Sequence, residues 1–169
     1  MEELQFEKFA IEEEGVFTSN YKVWNAKRTL IAEAKGILFS KSKDVYFYDN
    51  HGSELSHAYS ITRSGFFTKE YQIKKDNITQ AVLSKISGLF TSEFVINCPG
   101  QSPITLSGNM RKNNYVMIHE GVEIAKISRQ RAIFTKDVYG TAIRADYDYR
   151  IAICIIIVLD IIIDIERQK

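Results

Sequence analysis

A mainly β fold, a closed antiparallel barrel of about twelve strands around a central hydrophobic carboxy-terminal α-helix, is what this 169-residue sequence predicts. Two observations carry the prediction. The last apolar run, Ile151 to Leu159, holds nine apolar residues in a row, and Ile161, Ile162, Ile163 and Ile165 continue it around Asp160 and Asp164. Consecutive apolar positions cover every direction around a 3.6-residue helix, so this segment must be enclosed on all sides. Everything before it breaks into short segments rich in aromatic and β-branched residues, separated by turn clusters, as antiparallel strands require.

In chain order, strands are expected near residues 4–10, 21–25, 30–38, 45–49, 54–63 and 69–74, and again near 79–87, 93–97, 103–110, 115–119, 123–129 and 137–144. Several alternate, with Tyr71 and Ile73, Ile104 and Leu106, or Tyr115 and Met117 on one face and polar residues between. Turn signals stand at Asn50-His51-Gly52, Ser64-Gly65, Asp76-Asn77, Pro99-Gly100, Asn113-Asn114 and Glu120-Gly121. A loose repeat runs through the hairpins, in which Gly52, Gly100 and Gly121 are followed three residues later by Leu55, Pro103 and Ile124. Many short antiparallel strands favour a sandwich or barrel, and closure removes the exposed edges that invite aggregation. A twelve-stranded barrel leaves a lumen that strand side chains alone do not fill.

The terminal segment is expected to fill it as a helix over 147–166. As a strand, residues 151–165 would extend roughly 50 Å, far beyond ordinary strand length; as a helix they span about 22 Å. A bilayer asks for about 20 predominantly apolar residues, and an Asp near mid-span costs about 2.5–3.5 kcal/mol. Asp160 and Asp164 make a poor span. The isoleucines lose rotamer freedom in a helix, a few tenths of a kcal/mol each. Burial, at about 1.5–3 kcal/mol per large aliphatic side chain, outweighs that. Asp146 or Asp148 is placed to cap the amino end, and Arg167 and Lys169 suit the carboxyl end.

Composition agrees with one globular domain, residues 1–169, at 45% hydrophobic and 25% charged. A formal net charge of +1 gives no drive toward nucleic acid. Its distribution is uneven: Glu2, Glu3, Glu7, Glu12, Glu13 and Glu14 face only Lys8 near the amino end, whereas 111–144 is basic. Cys98 and Cys154 are too few for a disulfide framework, and the first residues have neither a basic n-region nor an apolar h-region. These features point to a cytoplasmic chain.

The frame of turn, Gly, two residues, apolar, Ala in Gly121-Val-Glu-Ile-Ala-Lys-Ile, together with Leu30-Ile-Ala-Glu-Ala-Lys-Gly and the ending Asp-Tyr-Arg-Ile-Ala-Ile-Cys-Ile-Ile-Ile-Val-Leu-Asp, resembles the tubby C-terminal-like superfamily. More closely the chain looks like bacterial relatives of the plant LURP-one-related proteins, with phospholipid scramblases as distant cousins. The resemblance covers nearly the whole chain and implies a closed twelve-stranded barrel threaded by a carboxy-terminal helix. It also implies phosphoinositide binding by a basic groove, whose residues do not map here one by one.

No catalytic, cofactor or metal pattern stands out. Asp160 and Asp164, four apart on one side of a helix, are expected to pair with a basic strand residue or face the barrel mouth. His51 and His119 fall in hairpin turns and His57 in a strand, without zinc-like spacing. There is no Gly-x-Ser-x-Gly elbow, and Asp44, Asp49 and Glu54 do not form a calcium loop. The basic clusters are Lys41 with Lys43, Lys74 with Lys75, Arg111 with Lys112 and Arg129 with Arg131. Residues two apart on a strand share a face, so the first and last of these pairs are placed to grip a phosphate, and surface solubility accounts for the clusters equally well. Phe66 and Phe67, beside Gly65, form a candidate apolar tip or simply cover the barrel end.

The expectation is therefore a non-enzymatic binding module without cofactor. Its partner would be an anionic lipid headgroup or a protein, met through Lys41, Lys43, Lys74, Lys75, Arg129 and Arg131, with membrane contact peripheral at most. The alternative is a membrane-anchored, scramblase-like lipid-handling protein that inserts its carboxy-terminal apolar segment.

Overall fold

The computed structural model describes residues 5–14, 20–36, 42–48, 54–64, 70–86, 91–109, 113–130 and 138–167. Twelve strands run in order, β1 Phe6–Glu14, β2 Asn20–Asn25, β3 Leu30–Gly36, β4 Lys43–Tyr48, β5 Glu54–Arg63 and β6 Glu70–Lys75. They continue as β7 Ile78–Ile86, β8 Thr91–Asn97, β9 Ile104–Asn109, β10 Asn114–His119, β11 Val122–Gln130 and β12 Val138–Arg144, and the chain ends in helix α1, Tyr149–Arg167. Each strand pairs antiparallel with its neighbours in sequence, and β1 pairs with β12 from Phe6↔Arg144 to Glu12↔Val138, which closes the barrel. No strand edge is left open along this sheet.

Period-two alternation sets the two faces. On β6 Tyr71 and Ile73 point into the lumen, on β8 Phe94 and Ile96, and on β9 Ile104 and Leu106, all buried, while the residues between them are exposed or half-buried. Large and small side chains alternate around the wall: Tyr21 lies opposite Ala34, which lies opposite Val45, which lies opposite Tyr59. That alternation leaves room on the axis for α1. Every residue from Ile153 to Leu159 is fully buried. The apolar segment is thus sheathed by strands, and among the described residues no helix is long and apolar enough to cross a membrane. This corrects the membrane-anchor alternative: the segment's buried surface is taken up by the barrel wall.

The helix enters at the rim where β12 ends. Asp148 caps it, its Oδ1 accepting from the Arg150 amide at 3.0 Å. Tyr149 fixes the entry angle by stacking on Phe9 at 5.4 Å and meeting Phe47 edge-on at 6.1 Å. At the same rim two hairpins turn through consecutive positive-φ pairs, Asp76 and Asn77 (51° and 63°) and Glu120 and Gly121 (51° and 76°), the two-residue geometry that suits twisted strands. β1 runs on to Glu14 rather than ending at Ala10, because Glu12, Glu13 and Glu14 pair with Lys22, Tyr21 and Asn20 of β2.

One close approach depends on a missing side chain. Gly108 on β9 faces Tyr115 on β10, and a Cβ there would lie 2.0 Å from Tyr115 Cδ1. The Tyr115 ring, which is buried, takes the space that any other residue at 108 would need. Gly108→Ala is expected to lower stability by about 1–3 kcal/mol, measured by urea denaturation, and to cost much less in a Tyr115→Leu background. Equal losses in the two backgrounds would show that the ring contact is not the constraint.

Candidate functional site

The two ends of the helix differ in chemistry. At its carboxyl end α1 carries the fully buried Asp160, set one turn before Asp164. Tyr21 at the start of β2 donates its hydroxyl to Asp160 Oδ2 at 2.6 Å, and Tyr139 at the start of β12 donates to Oδ1. Arg129, near the end of β11, places Nη2 3.1 Å from Asp160 Oδ1 and 3.2 Å from Asp164 Oδ1. Glu13 joins them, the carboxylate oxygens of Glu13, Asp160 and Asp164 lying within 4.8 Å of one another. Lys43 is buried alongside, its Nζ 5.2 Å from the centre of the Tyr21 ring.

Three carboxylates therefore share two cations. Burial pushes the Asp160 carboxyl above the usual carboxylate range, and Asp164 adds to the rise; the Tyr139 and Tyr21 hydroxyls and the Arg129 guanidinium pull the other way. Burial and the same carboxylate hold the Tyr21 and Tyr139 hydroxyls well above the ordinary phenol value, so both stay donors. The guanidinium occupies the position a cation would take between Asp160 and Asp164. What this arrangement can do is lock α1 to β2, β11 and β12 at the exit rim. A second lock is the pair Lys85 and Glu166.

These positions correct part of the surface reading. Lys43 shares the inward parity of Val45 and Phe47, and Arg129 that of Ile127, so both face the lumen and neither offers charge to the outer face. Lys41 and Arg131 lie outside the described residues, as do Arg111, Lys112, Phe66, Phe67 and His51. Lys74 and Lys75 sit at the entry rim, adjacent on β6 and therefore on opposite faces, with Lys75 Nζ 5.9 Å from the Tyr59 ring centre. The structure does not bring these lysines to Lys43 or Arg129, which are at the other end of the barrel. Of the two outcomes expected for Asp160 and Asp164, pairing with a basic strand residue is the one observed.

At the amino end of α1 the lumen is not filled. A cavity of about 320 Å³ lies between the first turns of the helix and strands β7 to β12. Ile104, Met117, Ile143, Ile151 and Ile155 make its floor, and Thr79, Gln80, Cys98, Gln101, Tyr147 and Asp148 bring polar groups to it. Two bulges build the wall. The β6–β7 register shifts between Ile73 and Lys74, and the β10–β11 register between Met117 and Ile118. At each the alternation breaks, so the consecutive residues Thr79 and Gln80, or Ile124 and Ala125, all line the same space.

A chain of hydrogen bonds ties three connections together beside the cavity. Ser102 Oγ donates to Glu120 Oε1 at 2.7 Å and is hydrogen-bonded to His119 Nε2 at 2.8 Å, and His119 Nδ1 is hydrogen-bonded in turn to the Tyr147 hydroxyl. His119 is half-buried rather than free in its turn. Ser102, Glu120, His119 and Tyr147 form one hydrogen-bonded group. It is a clasp joining the β8–β9 loop, the β10–β11 turn and the link into α1. Cys98 stands at the same edge, half-buried, with its thiol pushed up by burial.

Sequence reasoning missed this cavity. Its polar residues come from three separate connections or strand ends, and a bulge is defined only by the partner strand. The Gly121-to-Ile124 spacing marked one bulged position without revealing its role.

A closed twelve-stranded barrel plugged by its own helix, with an ionic lock at one end and a half-enclosed cavity at the other, defines the structural class. A family model described as LURP-one-related matches residues 7–160, and the chain belongs to that family. The X-ray structure of a protein from Arabidopsis thaliana is similar in fold, with a TM-score of 0.65 and 10% identity over 94% of this chain and 93% of that one. No curated protein matches the sequence.

The ionic lock generates two predictions. Arg129→Met leaves the buried Asp160 carboxylate without its guanidinium and is expected to cost about 3–5 kcal/mol, and the loss should shrink clearly in an Asp160→Asn background; additive losses in a double-mutant cycle would contradict the pairing. Between the ordinary carboxylate value and the raised one, native Asp160 holds more proton than unfolded Asp160, so its contribution to stability falls as pH rises through that window. The wild-type minus Asp160→Asn difference in unfolding free energy should therefore decline from about pH 4 upward, and a difference that rises instead would reverse the sign.

Proposed function

We propose that this barrel is a non-enzymatic binding module, without a cofactor, that holds a small and largely apolar ligand in the cavity at the amino end of α1. The observation that carries the reading is the pair of bulges that turn Gln80 and Ile124 toward the same half-enclosed space. A tightly packed interior does not ordinarily keep such a volume, and about 320 Å³ falls within the roughly 300–1,000 Å³ of small-molecule sites. An apolar floor with a few convergent polar groups is the usual make-up of such a site. N-phenyl-1-naphthylamine, an uncharged apolar fluorophore, is expected to bind saturably at one site. Filling the space with Ala125→Leu or Ala152→Phe should weaken that binding at least tenfold in variants whose thermal unfolding remains cooperative. Non-saturable fluorescence, or unchanged affinity in both variants, would overturn the reading.

A second contact is favoured by the same rim. Ile78 is 66% exposed in the β6–β7 hairpin beside Lys74 and Lys75, an apolar tip with basic neighbours, and the wider likeness to tubby-type barrels supports an anionic lipid headgroup there. An acidic protein surface would meet the same lysines. Attraction of about 1 kcal/mol per basic residue near an anionic membrane makes this contact weak and peripheral. Co-sedimentation with phosphatidylserine vesicles should be detectable at low salt and lost in Lys74→Glu/Lys75→Glu. Binding that ignores salt and phosphatidylserine content would remove this contact.

A further inference from the structure

We infer that the cavity selects an amphiphile whose head is uncharged and hydrogen-bonding, a hydroxyl or amide, and rejects the carboxylate or phosphate analogue. The inference rests on the cavity reading above and names the ligand class. Among the described residues that line the space, Asp148 is the only charged side chain. It stands at the helix amino terminus, where unsatisfied amides and the helix dipole would otherwise attract an anion. Its Oδ1 already accepts from the Arg150 amide at 3.0 Å. The chain's own carboxylate thus fills the position that an anionic head would seek.

Among the described residues no lysine or arginine lines the space; Lys74 and Lys75 stand on the neighbouring hairpin, and three further cations near the mouth are paired with carboxylates. Arg144 binds Asp146 through two nitrogens and lies over the Tyr147 ring at 5.6 Å. Arg150 Nε is 3.8 Å from Asp148, and Lys126 Nζ is 3.0 Å from Glu123. Glu120, on the clasp beside the mouth, adds a further negative charge. What remains for a ligand head is the amide of Gln80, whose Nε2 also donates to the Ile78 carbonyl at 3.2 Å, the amide of Gln101 and the hydroxyl of Thr79. These groups both donate and accept, as a hydroxyl or amide head requires. A carboxylate would have to give up its hydration for neutral donors next to Asp148, whereas an alcohol exchanges water for equivalent partners.

Displacement of N-phenyl-1-naphthylamine by octan-1-ol and by octanoate at pH 7.5 separates the alternatives, because the two differ only in the head. Octan-1-ol is expected to displace the probe at a concentration at least fivefold lower than octanoate. In Asp148→Asn, which keeps a good helix cap, that ratio should fall below threefold. Octanoate displacing as well as octan-1-ol, displacement by neither, or a ratio unmoved by Asp148→Asn would each overturn the assignment of head class. Failure of the probe itself to bind wild-type protein would instead sink the cavity reading.

Discussion

Everything in this fold depends on the enclosure of a helix that has no polar side. An amphipathic helix can rest on a sheet, but α1 is apolar around its full circumference from Ile151 to Leu159, and only a wall that surrounds it removes all of that surface from water. Closure of the barrel and burial of the helix are therefore one event energetically. The twelve strands leave a lumen that their own side chains do not fill, and the helix leaves a surface that no open sheet would cover. The isoleucines, poor in intrinsic helix propensity, are tolerated because burial contributes several times what propensity costs.

Enclosure creates a problem wherever a polar group enters the lumen, and the two ends solve it differently. At the exit rim Asp160 is satisfied by Tyr21, Tyr139 and Arg129, so the axial position and rotation of α1 are set by hydrogen bonds that oily packing alone would not specify. At the entry rim the position is set by Tyr149 against Phe9 and Phe47, on the β1 and β4 side. The opposite side, lined by smaller and aliphatic residues, keeps the cavity. A far end tied by ion pairs and an asymmetrically packed near end are the arrangement in which a cavity can persist without loosening the helix.

Much of this was legible in the sequence, for specific reasons. The isoleucine run excluded a surface helix by itself, and the alternation of Tyr71 and Ile73 or Tyr115 and Met117 declared half-buried strands. The acidic end of β1 was not legible as strand because Glu12, Glu13 and Glu14 look like a loop until Lys22 and Tyr21 are seen across from them. For Lys43 and Arg129 a signal did exist: each shares its parity with buried neighbours, Val45 and Phe47 in one case and Ile127 in the other. Spacing of two shows that charges share a face, and only the apolar residues in the same register say which face that is. The cavity was hidden because an unmatched residue in a bulge exists only relative to the partner strand.

The thiol of Cys154 sits fully buried in the middle of the enclosed run, and its reactivity reports on the enclosure directly. In a Cys98→Ser background, the rate of Cys154 modification by a thiol reagent can be followed across denaturant concentration under native conditions. If the helix is a core plug, labelling proceeds only through global opening, with a free energy and denaturant slope equal to those of unfolding. Labelling at the rate of an accessible thiol, or with a slope near zero while the barrel remains folded, would contradict the account.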